Sequence, residues 1–256
     1  MKVIISPAKR MRGDIDFMEP SRLPVFVEKA EYLLPFLKAM SLEELKKLLG
    51  CNHGIASLAY SRYQSMDLRH NTVPALLSFD GIQYQYMAPQ VFTYENFDYV
   101  QGHLYILSGL YGILRPMDGV VPYRLELDAK LQTPVSENLY QYWGDSVYRE
   151  LTRRDNVILN LASKQYSRIV KKYLSPKDRF ITCVFGETRE GKIREKGVYV
   201  KMARGEMVRF MAENRVEKPE ELKAFDRLGF SYHPECSDEN TYVFLMDKNK
   251  MKIGNH

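Results

Sequence analysis

The sequence predicts a mixed α/β (α+β) fold in a single compact domain, with a mixed sheet covered by helices. Short apolar runs of strand length alternate with segments of amphipathic helical spacing, which is the pattern of a mixed or partly parallel sheet. The chain has 256 residues, of which 45% are hydrophobic, so it can bury a full core. No internal repeat or Pro/Gly/Ser linker divides it, and residues 1–256 are expected to form one domain.

The chain begins with a predicted strand, and two helices follow. Residues 2–5 are a short apolar run with β-branched members that stops at a Ser-Pro pair. Ser41 and, three residues later, Glu44 form a capping box in front of a leucine-rich amphipathic segment. The segment Gly50 to Gly54 interrupts this helix before a second one. We therefore expect about residues 41–66 to form a helix-hairpin-helix-like element.

The rest of the chain alternates between the two kinds of segment, with glycines and prolines between them. The predicted strands are residues 75–79, 104–107, 157–161, 180–185 and 198–202. The predicted helices are residues 95–103, residues 138–151, a helix from about residue 163, and residues 203–214. The Lys/Glu-rich stretch 187–196 is predicted to be a hairpin or a surface loop.

Two observations favour a cytoplasmic protein with no membrane partner. No apolar run approaches the roughly 20 residues of a membrane-spanning helix, and the first residues lack the apolar core of a signal peptide. The three cysteines, Cys51, Cys183 and Cys236, are odd in number and far apart in the chain. This spacing argues against a disulfide framework and fits a reducing compartment.

Charge is distributed unevenly along the chain. The formal net charge is +5, but residues 151–215 alone hold 16 Lys and Arg against 7 Asp and Glu. Such a surplus predicts a basic face for an anionic partner, because phosphate neutralisation and counterion release drive nucleic-acid binding. A solvated basic helix surface would give the same composition.

Six blocks of the sequence are distinctive: Ile5–Lys9, Leu107–Asp118, Pro122–Leu127, Leu139–Asp145, Asn160–Tyr166 and Lys201–Phe210. In this order and spacing they closely resemble the peroxide-stress protein YaaA family, and the resemblance covers essentially the whole chain. It implies a single compact α/β body with a helix-hairpin-helix element and a basic cleft able to bind DNA. It also implies a cytosolic protein that limits peroxide damage and is linked with low free intracellular iron.

One position departs from the family pattern. The hairpin commonly reads Ser-Asp-Lys-Leu-Ala in the family, and this chain reads Asn-His-Gly-Ile-Ala over residues 52–56. Gly54 therefore replaces a basic side chain that could contact phosphate. Backbone N–H groups at Gly50 and Gly54 could still approach a phosphate group.

The expected DNA interface is a basic cleft that binds largely without sequence specificity. Loops at strand ends are positioned by a rigid scaffold and can place polar side chains in a cleft. The planar guanidinium group of arginine can donate two parallel hydrogen bonds to a phosphate group. The small residues Ala203 and Gly205 would permit close approach of a partner to the basic helix. Arginines and lysines of this kind can instead be ion-paired or solvated. The predicted phosphate contacts are Lys9, Arg115, Arg124, Lys171, Lys201, Arg204 and Arg209.

An enzyme is the alternative hypothesis. Polar side chains near several strand ends also fit an active site for a small anionic or nucleotide-like substrate. Ser163 follows a predicted strand and begins a helix, where it could contact an anion or simply cap the helix. Tyr111 could equally be a core aromatic residue. The candidate catalytic residues are Ser6, Lys9, Tyr111, Glu126 and Ser163.

Metal and cofactor chemistry has little support in the sequence. Cys51-Asn-His53 and His233-Pro-Glu-Cys236 each offer two ligands, but neither spacing matches a common zinc or iron signature. The chain also lacks a Walker A loop, a dinucleotide-binding glycine motif, a Gly-x-Ser-x-Gly elbow and a His-Glu-x-x-His helix. We expect no metal and no cofactor, and the sequence leaves open whether the chain is an enzyme.

Overall fold

The computed structural model describes residues 1–247, so the last nine residues of the predicted 1–256 domain lie outside the described part. Its fold is mixed α/β in one compact domain, which confirms the predicted class. The α-helices of residues 1–247 are α1 (Val27–Lys38), α2 (Leu42–Leu49), α3 (His53–Ser65), α4 (Ala75–Ser78), α5 (Ile82–Met87), α6 (Tyr94–His103), α7 (Leu139–Trp143), α8 (Ser146–Thr152), α9 (Lys164–Lys171) and α10 (Gly197–Asn214). Short 3-10 helices lie at Pro89–Val91, Pro219–Ala224 and Pro234–Cys236.

The strands of the described residues form one large sheet and two small two-stranded ladders. They are β1 (Lys2–Ile5), β2 (Arg10–Met11), β3 (Val73–Pro74), β4 (Phe79–Asp80), β5 (Leu104–Ser108), β6 (Gly112–Leu114), β7 (Gly119–Val120), β8 (Val157–Leu161), β9 (Arg179–Arg189), β10 (Lys192–Arg194), β11 (Asp226–Arg227), β12 (Phe230–Tyr232) and β13 (Thr241–Met246). The large sheet has the order β11-β12-β13-β9-β8-β1-β5-β6, with β10 paired to β9. The small ladders are β2-β4 and β3-β7.

The five central strands of the large sheet, β13, β9, β8, β1 and β5, run parallel to one another. The register places Val3 between Leu104 and Leu159. Every residue of β5 is buried, as expected for a strand covered by other elements on both faces. Antiparallel strands β6 and β12 flank the parallel core. A mixed sheet covered by helices is therefore the observed architecture.

The order of the parallel strands creates a crevice beside β1. From β1 the chain moves to its neighbour β5, and it then crosses to the other side of β1 to form β8, β9 and β13. The connections that leave β1 and β8 therefore diverge. In open α/β sheets, ligands bind outside the carboxyl ends of strands at such a switch point.

The segment 41–66 forms two contacting helices, α2 and α3, joined by residues 50–52. The capping box is confirmed: Glu44 N–H donates to Ser41 Oγ, and Ser41 N–H donates to Glu44 Oε2. Gly50 ends α2 in the left-handed conformation, and its N–H is donated to carbonyls of that helix, so it is already used. Gly54 lies in the first turn of α3 rather than in the connection.

Two predicted strands are wrong, because their residues form helices instead. Residues 75–78 form the single turn α4, and only Phe79–Asp80 is a strand. A short apolar run does not distinguish a strand from a fully buried helical turn. Residues 198–202 open the long helix α10, although valine and tyrosine favour strands. Tertiary packing of α10 overrides that local preference.

Two further segments refine the sequence prediction. The predicted helix 138–151 is two helices, α7 and α8, because Gly144 interrupts it with φ +50° and ψ −132°, a conformation that favours glycine. The stretch 187–196 is the β9-β10 hairpin, so the hairpin prediction is confirmed. Glu190 and Gly191 both have positive φ at its tip, as a tight two-residue hairpin turn requires.

Candidate functional site

A cleft opens at the carboxyl ends of β1 and β8, where the strand order reverses. Ser6 directly follows β1, and Ser163 is the residue before α9. Ser163 N–H donates to Ser6 Oγ at 2.9 Å, and Ser6 Oγ donates to Ser163 Oγ at 3.3 Å. The Ser163 side chain makes no capping hydrogen bond to α9. The two serines instead tie the diverging connections together.

The β2-β4 ladder forms a second wall. Pairing of Arg10 with Asp80 holds the loop after β1 against the start of α5, and the same two side chains form an ion pair at 3.1 Å. Gly81 permits this approach, because a Cβ there would lie 2.9 Å from the Cβ of Ala8. Tyr84 then donates its hydroxyl proton to the carbonyl of Ser6 at 3.0 Å.

Residues 123–126 form a third wall. Tyr123 is buried and its hydroxyl lies 2.6 Å from Ser108 Oγ, which anchors the segment to the end of β5. The Glu126 carboxylate pairs with Lys9 Nζ at 3.1 Å and with the Arg124 guanidinium at 3.4 Å. Lys9 is 64% exposed, whereas Arg124 is only 14% exposed. One cation therefore lies at the rim and the other deep in the cleft.

The fourth wall is α10, which brings in Lys201 and Arg204. Gly205 packs directly on α5: a Cβ there would lie 2.1 Å from Gln83 O and 2.9 Å from Met87 N. From the sequence, the small residue Gly205 predicts room for an outside partner at this helix. In the structure that room is taken by α5, and the close approach places Arg204 beside Gln83 at the cleft.

The cleft has a volume of about 450 Å³ and a cationic lining. Apolar atoms also line it, from Ala8, Ile82 and Leu125 and from buried tyrosine rings. Among the lining residues that the structure describes, five are cations and two are carboxylates, a surplus of three positive charges. They are Lys9, Arg10, Arg124, Lys201 and Arg204, with Asp80 and Glu126.

Four buried N–H donors on residues that line this cleft have no hydrogen-bond partner within residues 1–247. They are Gln83 Nε2, Arg124 Nε, Gln165 Nε2 and Arg204 Nε. A buried donor without a partner costs about 1–3 kcal/mol, so such groups are rare in native proteins. Their convergence on one cavity indicates a site built for a ligand rich in hydrogen-bond acceptors, and two guanidinium groups favour an anion.

Burial governs the ionisation of the deeper groups. It lowers the pKa of Arg204, although the group stays charged at physiological pH. Burial also raises the pKa of the Tyr84 and Tyr123 phenols well above 10, so both remain neutral hydrogen-bonding groups. The cleft thus combines fixed positive charge with neutral phenols, two serine hydroxyls and two carboxylates. This set can bind and orient an anion.

Four of the seven predicted phosphate contacts line the cleft: Lys9, Arg124, Lys201 and Arg204. Arg115 does not, because β6 runs antiparallel to β5 and returns the chain to the opposite edge of the sheet. There Arg115 pairs with Glu150 at 3.5 Å and lies over the Tyr105 ring. Lys171 is at the far end of α9, and Arg209 pairs with Glu213 at 2.8 Å.

Four of the five candidate catalytic residues also line the cleft: Ser6, Lys9, Glu126 and Ser163. Tyr111 is the exception, since it is fully buried. Its hydroxyl accepts the Val121 N–H at 3.4 Å, and its ring packs edge-on against Tyr123. The structure therefore supports the core-aromatic interpretation of Tyr111.

Sequence reasoning did not single out Gln83, Gln165 or Arg10. Gln165 lies inside the block 160–166, next to Ser163, so its place after a strand end was a usable signal. Arg10 likewise follows the block that ends at Lys9. Gln83 carried no signal, because a glutamine in a short polar and aromatic segment has no spacing that indicates a site.

A second, wider groove adjoins the cleft and shares Lys9 and Glu126 with it. It has a volume of about 820 Å³ and runs to the end of α2, where Lys47 and Gly50 line it. Lys130 lies along the same groove, and Glu44 and Asp128 line it as well. Helix α2 therefore borders a groove that is continuous with the cleft.

Within residues 1–247, no group of three or more His, Cys, Asp and Glu side chains is placed to hold a metal ion. Over the same residues, no helix combines the length and apolar character needed to cross a membrane.

Comparison with known proteins identifies the family. The family model described as peroxide stress protein YaaA matches residues 1–236. A UPF0246 protein of Desulfitobacterium hafniense is 59% identical over 96% of this chain and 98% of its own length. A UPF0246 protein of Agathobacter rectalis is 50% identical over 95% and 98%, and one of Lachnoclostridium phytofermentans is 46% identical over 98% and 99%. The chain therefore belongs to the family of the peroxide stress protein YaaA.

Proposed function

We propose that this protein acts in the peroxide-stress response by binding DNA through the cleft, largely without reading sequence. Membership of the family supports the peroxide-stress role. The observation that carries the DNA proposal is the convergence of four unpartnered N–H donors in a cleft with a surplus of positive charge. Arg124 and Arg204 are suited to hold one phosphate group, since guanidinium donors match phosphate geometry.

The rim extends the same charge outward. Lys9 and Arg10 are 64% and 72% exposed, and Lys201 is exposed as well. The adjoining groove leads from Lys9 toward α2, and its three lysines are balanced by Glu44, Glu126 and Asp128. A strand with one phosphate in the cleft could place its neighbouring phosphates along this rim. Contacts of this kind position a nucleic acid but carry no base information.

Salt dependence of DNA binding tests the proposal. Lys201→Gln should reduce the slope of log affinity against log salt by about 0.9 on duplex DNA, because one phosphate contact and its released counterion are lost. Lys171→Gln is the matched control: the same exposed side chain is changed at the far end of α9, and its slope should stay at the wild-type value. Equal slopes for all three proteins would remove Lys201 from the interface. No measurable DNA binding at low salt would refute the function itself.

We propose that the link with low free intracellular iron is indirect, meaning that the protein does not itself bind the iron. Within residues 1–247, no cluster of three or more His, Cys, Asp and Glu side chains is placed to hold an iron ion. We expect the purified protein to bind less than stoichiometric iron, while a deletion strain shows raised free iron by whole-cell electron paramagnetic resonance. A stoichiometric iron site in the purified protein would contradict the indirect link.

An enzyme acting on a small anionic or nucleotide-like substrate is the second candidate. The specific observation in its favour is that Ser6, Lys9, Glu126 and Ser163 lie in the same cleft as the unpartnered donors. A volume of about 450 Å³ also falls within the roughly 300–1,000 Å³ of small-molecule sites. Saturable binding of a mononucleotide, with no gain in affinity as DNA is lengthened, would favour this candidate over DNA binding.

A further inference from the structure

The unpartnered donors lie where a rigid double helix cannot reach them. The Nε atoms of Arg124 and Arg204 are buried, whereas Lys9 and Lys201 at the rim are exposed. A duplex resting on the rim would contact the exposed cations and leave the buried donors without partners. A smaller group must enter the cleft to satisfy them.

The cleft is too large for a lone phosphate group. A volume of about 450 Å³ equals roughly 15 water molecules at about 30 Å³ each, whereas a phosphate has only five heavy atoms. Its lining is also chemically mixed. Two of the unpartnered donors are the neutral amides of Gln83 and Gln165, and apolar atoms of Ile82 and Leu125 lie in the same wall. A phosphate needs neither neutral amides nor apolar contacts.

A nucleotide matches each part of this lining. Its phosphate suits guanidinium donors, its base edges carry carbonyl and ring-nitrogen acceptors, and its base faces are apolar. Proteins that take a base out of the stack bind it in such a pocket, and unpairing is easiest where the nucleotide is already unpaired. Gln83 lines the cleft and is 6% exposed, so a ligand can reach this residue only by entering the cleft.

We infer that the cleft holds one unpaired nucleotide of DNA, with its phosphate at Arg124 and Arg204 and its base edge at the amides of Gln83 and Gln165. This inference rests on the proposed function, because it names the part of the DNA that the site takes. The bound unit is a strand end, a bulged nucleotide or a base extruded from the duplex. A free nucleotide offers the same chemistry, and the test separates these sources.

Two dumbbell duplexes of the same sequence, each closed at both ends by a non-nucleotide linker, provide the test, one fully paired and one with a single bulged nucleotide. Neither has strand ends, so they differ only in the unpaired unit. Wild-type protein should bind the bulged dumbbell at least about tenfold more tightly in competition anisotropy. Gln83→Met and Gln165→Met should each reduce this preference severalfold and leave the salt slope unchanged. Gln85→Met is the control on α5, since that amide already donates to Asp80 at 3.3 Å.

Each outcome has a defined meaning. Equal affinity for the two dumbbells, with a normal salt slope, would overturn the inference and leave the proposed function standing. Binding of a mononucleotide without binding of either dumbbell would overturn both. A preference that survives in both glutamine variants would overturn the assignment of the base edge to the amides. Thermal unfolding identifies a variant that fails to fold, and Gln165, which is only half-buried, keeps the test available if Gln83→Met does not fold.

Discussion

Replacing Gly205 by alanine should destabilise the protein and disable the cleft together. The new Cβ would lie 2.1 Å from Gln83 O, about 1.3 Å short of ordinary contact, and 2.9 Å from Met87 N. Both obstacles are backbone atoms, so α10 and α5 must separate rather than a side chain rotate. Overpacking of this kind costs about 1–3 kcal/mol. Alanine regains up to about 1 kcal/mol of helix propensity, which leaves a net loss of about 2 kcal/mol if the clash is at the upper end.

Calorimetry or denaturant unfolding measures this loss. For a chain of this length, about 2 kcal/mol corresponds to a fall in Tm of roughly 4–8 °C. DNA affinity should fall as well, because Arg204 and Gln83 move apart as the helices separate. Gly102→Ala is the matched control: it lies in α6, a Cβ there meets nothing within 4 Å, and helix propensity alone should raise stability. If Gly205→Ala is as stable as Gly102→Ala and binds DNA normally, close packing of α10 on α5 does not position the site.

Three further predictions concern single side chains. Arg204→Met should weaken binding of DNA that carries an unpaired nucleotide, because the phosphate in the cleft loses a guanidinium partner. It should leave the free energy of unfolding unchanged or raise it by up to about 1 kcal/mol, because it removes an unpartnered buried donor; a large loss of stability in calorimetry would mark Arg204 as structural. Tyr111→Phe should retain binding and peroxide protection, since Tyr111 lies in the core, and loss of protection by a stable variant would restore its catalytic candidacy. Burial raises the pKa of Cys183 to about 12. At pH 8 Ellman's reagent should therefore react with at most Cys51 and Cys236 in the folded protein, and with all three thiols after unfolding. Fast reaction of three thiols in the folded protein would contradict this.

The central sheet was predictable because its strands are short and apolar throughout. Residues 104–107 and 157–161 lie in β5 and β8, where local preference and burial agree. Residues 198–202 were misassigned because local preference and packing disagree there. Their valines and tyrosine favour a strand, yet the contact of Gly205 with α5 can form only if α10 is helical through this region. That contact joins segments more than 100 residues apart, and no local pattern contains it.

The site was predictable only where it lies at strand ends. Ser6 and Ser163 follow β1 and β8, and parallel strands bring their carboxyl ends to one edge. The position of Arg115 depends on the reversal of the chain into β6, which a sequence read in one dimension does not specify. Gln83 could not be predicted, because only its burial beside the cleft marks it, and no sequence pattern encodes that burial. Whether the residues at the cleft bind DNA stays a prediction.

The four walls of the cleft have a consequence for how the protein could be regulated in the cell. They come from five segments, around residues 6–10, 80–84, 123–126, 163–166 and 201–204, which span most of the chain. A ligand that contacts them all binds only the folded state, and at 100 times its dissociation constant it stabilises that state by about 2.7 kcal/mol. Occupied protein would therefore unfold less often and resist proteolysis longer than free protein. The level of the ligand could in this way set the lifetime of the protein, with no separate regulatory element.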